Sequence, residues 1–241
     1  MNELRDEAVV LRSYRSGEAD RVVVFWTRDH GKVRAIAKGV RKPTSKIGGG
    51  LTPLAHAEVY LLKGRGDLHI VRQVHHVERY STLHADYDRI TAGLALVEVV
   101  DAIPLDDVAD DGIFTMLTRA LSTLDTPEFF PELVPPAFFF KLLAHDGSEP
   151  QVDECVNCGS DGPLVSFDAE VGGALCGNCR SGRPLSADGL QLMRRILGGD
   201  LAGVLRDEHP AGAAEVTALA GEAIERHFGR RLKVGRATPI A

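Results

Sequence analysis

The stretch Arg21-Val22-Val23-Val24-Phe25-Trp26-Thr27, then Arg28-Asp29-His30, then Gly31-Lys32-Val33-Arg34-Ala35-Ile36-Ala37-Lys38 decides how the first third of the chain folds. β-Branched and aromatic residues fill both runs, and Asp29-His30-Gly31 supplies a turn between them, so the stretch reads as two strands. Working outward, Ala8 to Tyr14, Leu54 to Leu62 and Leu68 to Val77 have the same character. Ser16-Gly17, the glycines at 48 to 50 and Gly64-Arg65-Gly66-Asp67 punctuate them. Five strands within residues 1–80, with no helical period among them, predict a small closed barrel such as an OB-fold; a small open sheet is the alternative.

After Tyr80 the hydrophobic period becomes helical. One helix is expected from Ser81 to Ile103, with Leu83, Tyr87, Ile90, Leu94 and Val97 on one stripe and Pro104 ending it. A second carries Ile113, Met116, Leu117, Ala120, Leu121 and Leu124, capped by Asp110 or Asp111. Ala137 to Ala144 is a third. Ser186 is placed to cap another, with Leu185 and Leu190 as a hydrophobic staple, and Ala213 to Phe228 is the last. The fold class is therefore α+β: a barrel domain over 1–80 and a helical domain over 81–241.

All four cysteines fall inside the helical region, as Cys155-Val156-Asn157-Cys158 and Cys176-Gly177-Asn178-Cys179, with seventeen residues between the pairs. Two residues between thiolates let both point at one ion, and this separation suits a four-cysteine zinc site. Val165 to Glu170 and Ala174-Leu175 can pair around Gly172-Gly173, making residues 153–183 an inserted zinc ribbon. Two disulfides are the alternative, disfavoured in a cytosolic chain. Four thiolates fill a tetrahedral shell, so one structural Zn2+ is expected, held by Cys155, Cys158, Cys176 and Cys179. His76-Val77-Glu78 with the first cysteine pair echoes a zinc deaminase, but no proline precedes Cys155 and the second pair completes the tetrad.

The net charge of −6 is unevenly spread. Residues 1–80 hold fifteen Lys/Arg against nine Asp/Glu, and the remainder thirteen against twenty-five. Arg28, Lys32, Arg34, Lys38, Arg41, Lys42 and Lys46 lie in one short segment with the single acid Asp29. Strand alternation puts Lys32, Arg34 and Lys38 on one face, continuing into a basic loop that can follow a phosphate backbone. These seven residues are the candidate DNA-binding set. Tyr14, Phe25, Trp26 and Tyr60 are the aromatics at hand, most of them expected in the core. A second basic cluster, Arg226, Arg230, Arg231, Lys233 and Arg236, either extends that path or complements the last helix dipole. Neither a phosphate-binding loop, HExxH, GxSxG nor a dinucleotide fingerprint occurs, so no enzymatic activity is expected. No apolar run suits a membrane span or a signal peptide, which points to a cytoplasmic protein.

The segments Gly17-Glu18-Ala19-Asp20-Arg21, Thr27-Arg28-Asp29-His30-Gly31-Lys32, Ala37-Lys38-Gly39-Val40-Arg41 and Leu51-Thr52-Pro53-Leu54, with the late CxxC…CxxC, resemble the bacterial RecO family of DNA repair and recombination proteins. The resemblance implies an N-terminal OB-fold, a helical C-terminal domain and a nucleoid-associated mediator. Such a mediator binds single- and double-stranded DNA, anneals complementary strands and, with RecR, helps RecA replace single-strand-binding protein (SSB). The acidic, apolar-ended C-terminal tail of SSB is an implied partner. A zinc-ribbon protein-interaction or transcription module is the rival reading.

Overall fold

The computed structural model describes residues 3–42, 45, 47–64, 66–104 and 109–233. Strands β1 (Glu3–Ser16), β2 (Asp20–Thr27), β3 (Gly31–Ala37), β4 (His56–Leu62) and β5 (Leu68–Glu78) close into a barrel in the order β1-β2-β3-β5-β4. Only β3 and β5 pair in parallel; the other pairings are antiparallel. The closed OB-like barrel is the expected architecture, and each expected strand lies within a few residues of an observed one.

Inside the barrel, Val10, Val23, Phe25 and Val59 pack with Ala35, Ala37 and Ala57, small side chains that suit a narrow bore. Val9, Leu11, Val24 and Trp26 point outward and join the apolar cluster of the helical half. Both faces of β2 are covered, which explains why Val22 to Trp26 is an unbroken apolar run. A bulge in β1 between Val10 and Arg12 shifts the register against β2. A bulge changes side-chain parity. Val10 faces inward opposite Phe25, while Arg12 pairs with the outward-facing Val24.

The helical half comprises α1 (Ser81–Ala85), α2 (Tyr87–Ala102), α3 (Asp111–Asp125), α4 (Val134–His145), α5 (Ala187–Leu197), α6 (Leu201–Val204) and α7 (Ala213–His227). The expected helix over Ser81–Ile103 is two helices. Asp86 adopts an extended backbone and its carboxylate accepts from the Arg89 amide, so the chain restarts a helix there. Tyr87, assigned to the buried stripe, is 77% exposed. Leu83 and Val97 of that stripe are buried and Ile90 and Leu94 pack against the core, and the buried face extends through Arg89, Ala92, Gly93, Leu96 and Val100. Arg89 is held inside because its guanidinium donates to the carbonyls of Leu124, Thr126, Pro127 and Phe129, at 2.6 to 3.2 Å. The expected caps are present: Asp110 accepts from Ile113 N at 3.1 Å and Ser186 from Gly189 N at 3.0 Å. Leu185 and Leu190 are both buried, as a staple requires. No helix among the described residues is long and apolar enough to cross a membrane.

A polar network fastens barrel to helices. Glu7 on β1 accepts from His56 Nε2 at 2.7 Å and Arg28 Nη2 at 2.8 Å. Arg28 also reaches Asp111 at 2.9 Å and lies over the Phe114 ring, while His56 Nδ1 meets the Tyr80 hydroxyl at 3.1 Å. Burial holds the His56 pKa below its ordinary 6.5 despite the Glu7 carboxylate, so the ring is neutral and donates from Nε2. Partial burial pushes Glu7 up, but hydrogen bonds from Arg28 and His56 outweigh it and bring its carboxyl below the ordinary 4.5. Both groups bind protons less readily folded than unfolded, so each contributes stability that is lost on acidification. Thermal melts should show the midpoint falling as pH drops below 6.5, where the unfolded chain's histidine protonates, and falling further below 4.5. His56→Gln should flatten the first segment, each tenfold of proton affinity there being about 1.4 kcal/mol. A pH-independent melting point between 7 and 5 in the wild type would contradict this account of the junction.

Candidate metal centre and nucleic-acid interface

Strands β6 (Leu164–Asp168), β7 (Gly173–Cys176) and β8 (Arg183–Pro184) form a three-stranded sheet in the order β7-β6-β8 between α4 and α5. This is the expected hairpin with a short third strand added. Gly159, at φ +70°, closes the first cysteine turn, its amide donating to Cys155 O at 2.8 Å. Cys179 N donates to Cys176 O at 3.1 Å in the second turn, and Val156 N donates to Ala174 O at 3.0 Å, tying the two together.

The four sulfurs lie within 4.8 Å of one another, and Cys158 Sγ is 3.8 Å from Cys176 Sγ. A tetrahedron with metal–sulfur bonds of about 2.3 Å has edges of about 3.8 Å. All four thiols are free, so the disulfide alternative does not apply. Backbone amides of Cys176, Cys158 and Asn157 lower the Cys155 thiol to about 6. The Ser160 amide favours the Cys158 thiolate, but the crowded sulfurs of Cys155, Cys179 and Cys176 push that thiol up to about 12. Four sulfurs at this spacing cannot all ionise without a cation among them. The cluster can therefore hold a metal ion. Cys155 and Cys176 are buried within the apolar cluster that includes α4, α5 and α7, so the site is built into the helical core.

The basic segment divides. Arg34, Lys38, Arg41 and Lys42 are exposed. Arg34 Nη2 donates to the Tyr14 hydroxyl at 3.3 Å and Arg41 Nη1 to the Glu18 carbonyl at 2.8 Å, both neutral oxygens. Lys32 departs from the expected open face. Its side chain is 5% exposed, and its ammonium donates to the carbonyls of Asp101 and Ile103 at the end of α2, beside the Asp101 carboxylate at 3.7 Å. Burial lowers its pKa, Asp101 opposing. Lys32 shares a strand face with Arg34, but the helices cover its end of that face. Arg28 is likewise engaged with Glu7 and Asp111. Lys46 lies outside the described residues.

Two neighbours adjoin this group: Arg12, which lies outside the seven-residue basic segment, and Tyr14, one of the barrel aromatics named from the sequence. Arg12 binds Asp101 through Nε at 3.2 Å, and Tyr14 stands exposed beside Arg34. Residues 230–233 also lie in this region. Leu232 is buried, Lys233 N donates to Glu98 Oε1 at 2.8 Å, and Arg230 is close enough to Lys32 to lower its pKa. Arg226 pairs with Glu170 at 2.9 Å, so the second basic cluster splits between a helix end and the barrel side; Arg236 lies outside the described residues.

Residues 1–80 match the family described as Recombination protein O N terminal, and residues 84–236 the one described as Recombination protein O C terminal. A DNA repair protein RecO of Streptomyces griseus subsp. griseus is 37% identical over 213 residues, covering 84% of this chain and 85% of that protein. A DNA repair protein RecO of Cutibacterium acnes is 35% identical over 242 residues, covering 97% of each. With both halves matched and nearly the whole length aligned, the chain belongs to the RecO family of DNA repair proteins.

Proposed function

We propose that this protein is a non-enzymatic recombination mediator. It binds single- and double-stranded DNA through the barrel, anneals complementary strands and, with RecR, assists RecA loading on SSB-coated single strands. The observation that carries the reading is the exposed group Arg34, Lys38, Arg41 and Lys42 on the barrel of a RecO-family chain whose residues 81–241 carry a net negative charge. Annealing brings two polyanions together without making or breaking a bond, so cations that screen phosphate repulsion are the required chemistry. The acidic helical half discourages DNA there and leaves that surface to protein partners. One zinc ion at Cys155, Cys158, Cys176 and Cys179 stabilises that half, its thiolate shell closed to substrate.

The SSB tail, acidic with an apolar end, suits a cleft of about 390 Å³ between α4, α7 and the cysteine module. Leu143, Val156, Phe167 and Ala223 give it an apolar floor for that end. At its rim Glu149 and Glu170 stand with Arg226 and His227, which are bonded to Glu170 and Asp146 and would have to exchange these partners for the tail's carboxylates. The test is annealing of complementary oligonucleotides, bare and SSB-coated, without ATP. Acceleration of about tenfold or more over the uncatalysed rate is expected. On coated strands it should require the SSB tail, with calorimetry showing weaker binding to tailless SSB. Failure to accelerate annealing of bare strands would remove the mediator reading.

A further inference from the structure

The outer surface of the barrel is ordered in rows. Tyr14 pairs with Val22, Val22 with Ile36 and Ile36 with Ile70, giving an apolar row across β1, β2, β3 and β5. Residues directly opposite in a ladder share a face. One step along the strands, about 6.8 Å away, the next row is Arg12, Val24, Arg34 and Leu68. On the other side β3 runs on to the exposed Lys38, with Arg41 beyond. The Arg12 row is where the helical half ends, since Asp101 of α2 takes the Arg12 guanidinium and Val24 is covered. In the Tyr14 row, Tyr14 is exposed and Ile36 and Ile70 are half-buried, with Val22 buried between them.

Tyr14 belongs to neither apolar cluster, and 41% of it is exposed. Two guanidiniums steer it: the Arg12 carbon lies 6.0 Å from the ring centroid, and Arg34 bonds the hydroxyl. Half-buried Ile36 and Ile70 continue the apolar surface. An exposed ring on an apolar strip, with cations in the rows on either side, matches what a single strand presents: unstacked bases flanked by phosphates.

Resting on the nucleic-acid reading above, we infer that Tyr14 is a base-stacking platform, and that the Arg12–Tyr14–Arg34–Ile36 surface is where the protein distinguishes a single strand from a duplex. Phosphate contacts alone cannot do this, because both forms offer phosphates and the duplex carries them more densely. The faces of duplex bases are already stacked on one another, so the Tyr14 contact is available to unpaired bases only. Arg12, neutralised by Asp101, holds the ring in place, and Arg34, bonded only to the neutral Tyr14 hydroxyl, meets the flanking phosphate.

The test compares wild type, Tyr14→Leu and Tyr14→Phe on an oligothymidylate, an abasic oligomer of equal length and a hairpin duplex, by fluorescence anisotropy across salt. Tyr14→Leu should weaken oligothymidylate binding between about fivefold and about a hundredfold. Affinity for the abasic and duplex probes should stay within about twofold, and the salt slope should be unchanged because no phosphate contact is removed. Tyr14→Phe should restore oligothymidylate binding. A second readout uses Tyr14→Trp, whose emission oligothymidylate should quench and the abasic oligomer should not; the native Trp26 is fully buried and supplies a constant background. Equal loss on all three probes, or wild-type oligothymidylate affinity in Tyr14→Leu, overturns the stacking role and leaves the nucleic-acid reading intact. Wild type that binds none of the probes overturns both.

Discussion

Serine at Cys158 or at Cys176 will abolish stoichiometric zinc and cost the helical half several kcal/mol of stability. Structural zinc in small finger peptides carries about 10–16 kcal/mol of apparent binding free energy, coupled to folding. A whole domain is stable by only about 5–15 kcal/mol, so loss of one ligand reaches the scale of total stability. The two positions separate metal from packing. Cys176 is buried against the apolar cluster, so serine there also places a hydroxyl in the core. Cys158 is exposed, so serine there disturbs no packing and any loss belongs to the metal. Elemental analysis of freshly reduced wild type should find one zinc per chain. Urea titrations should show earlier unfolding in both variants and in chelator-treated wild type. The emission of the single tryptophan reports the barrel–helix junction, because Trp26 packs in the helical cluster. The inner barrel cluster is separate and should persist to higher urea, visible as residual strand signal in circular dichroism. Metal-free wild type with an unaltered urea midpoint would show that the cysteines stabilise nothing through an ion.

Arg34→Ala combined with Arg41→Ala is the second large effect, and it should appear in binding with folding left alone. Each phosphate neutralised on a single strand contributes about −0.7 to the log–log salt slope, so the double variant should flatten it by about 1.4. Affinity near physiological salt should fall roughly tenfold, alike across sequences, because phosphate contacts carry no base information. Annealing should slow in parallel. Lys32→Ala should do the reverse, lowering stability because the end of α2 and Asp101 lose a buried partner, with the salt slope kept. An unchanged slope in a folded Arg34/Arg41 double variant would move the DNA path to the second basic cluster at Arg230, Arg231 and Lys233, of which Arg230 lies near Lys32.

Much of this molecule was legible because its signals are local. Strand identity follows from β-branched runs between turn residues, so the five strands could be placed from composition. Cysteine spacing is a local constraint of the same kind: two residues bring two thiolates to one ion, whatever surrounds them. The caps at Asp110 and Ser186 need only an oxygen and an amide three residues on.

Only the tertiary structure decided which surfaces stay wet. Alternation groups Lys32 with Arg34, but the end of α2, some seventy residues away in sequence, covers one and leaves the other open. Tyr87 was read onto a buried stripe because its spacing suits one, and the restart at Asp86 rotates it into solvent. Tyr14 is the clearest case. Counted by twos from Val10 it belongs inside the barrel, and the β1 bulge reverses that parity and presents it to solvent between two arginines. Periodicity records which side chains share a face. Whether that face meets water, a helix or a ligand depends on segments distant in sequence, because burial is a property of the assembled surfaces and not of the strand that carries them.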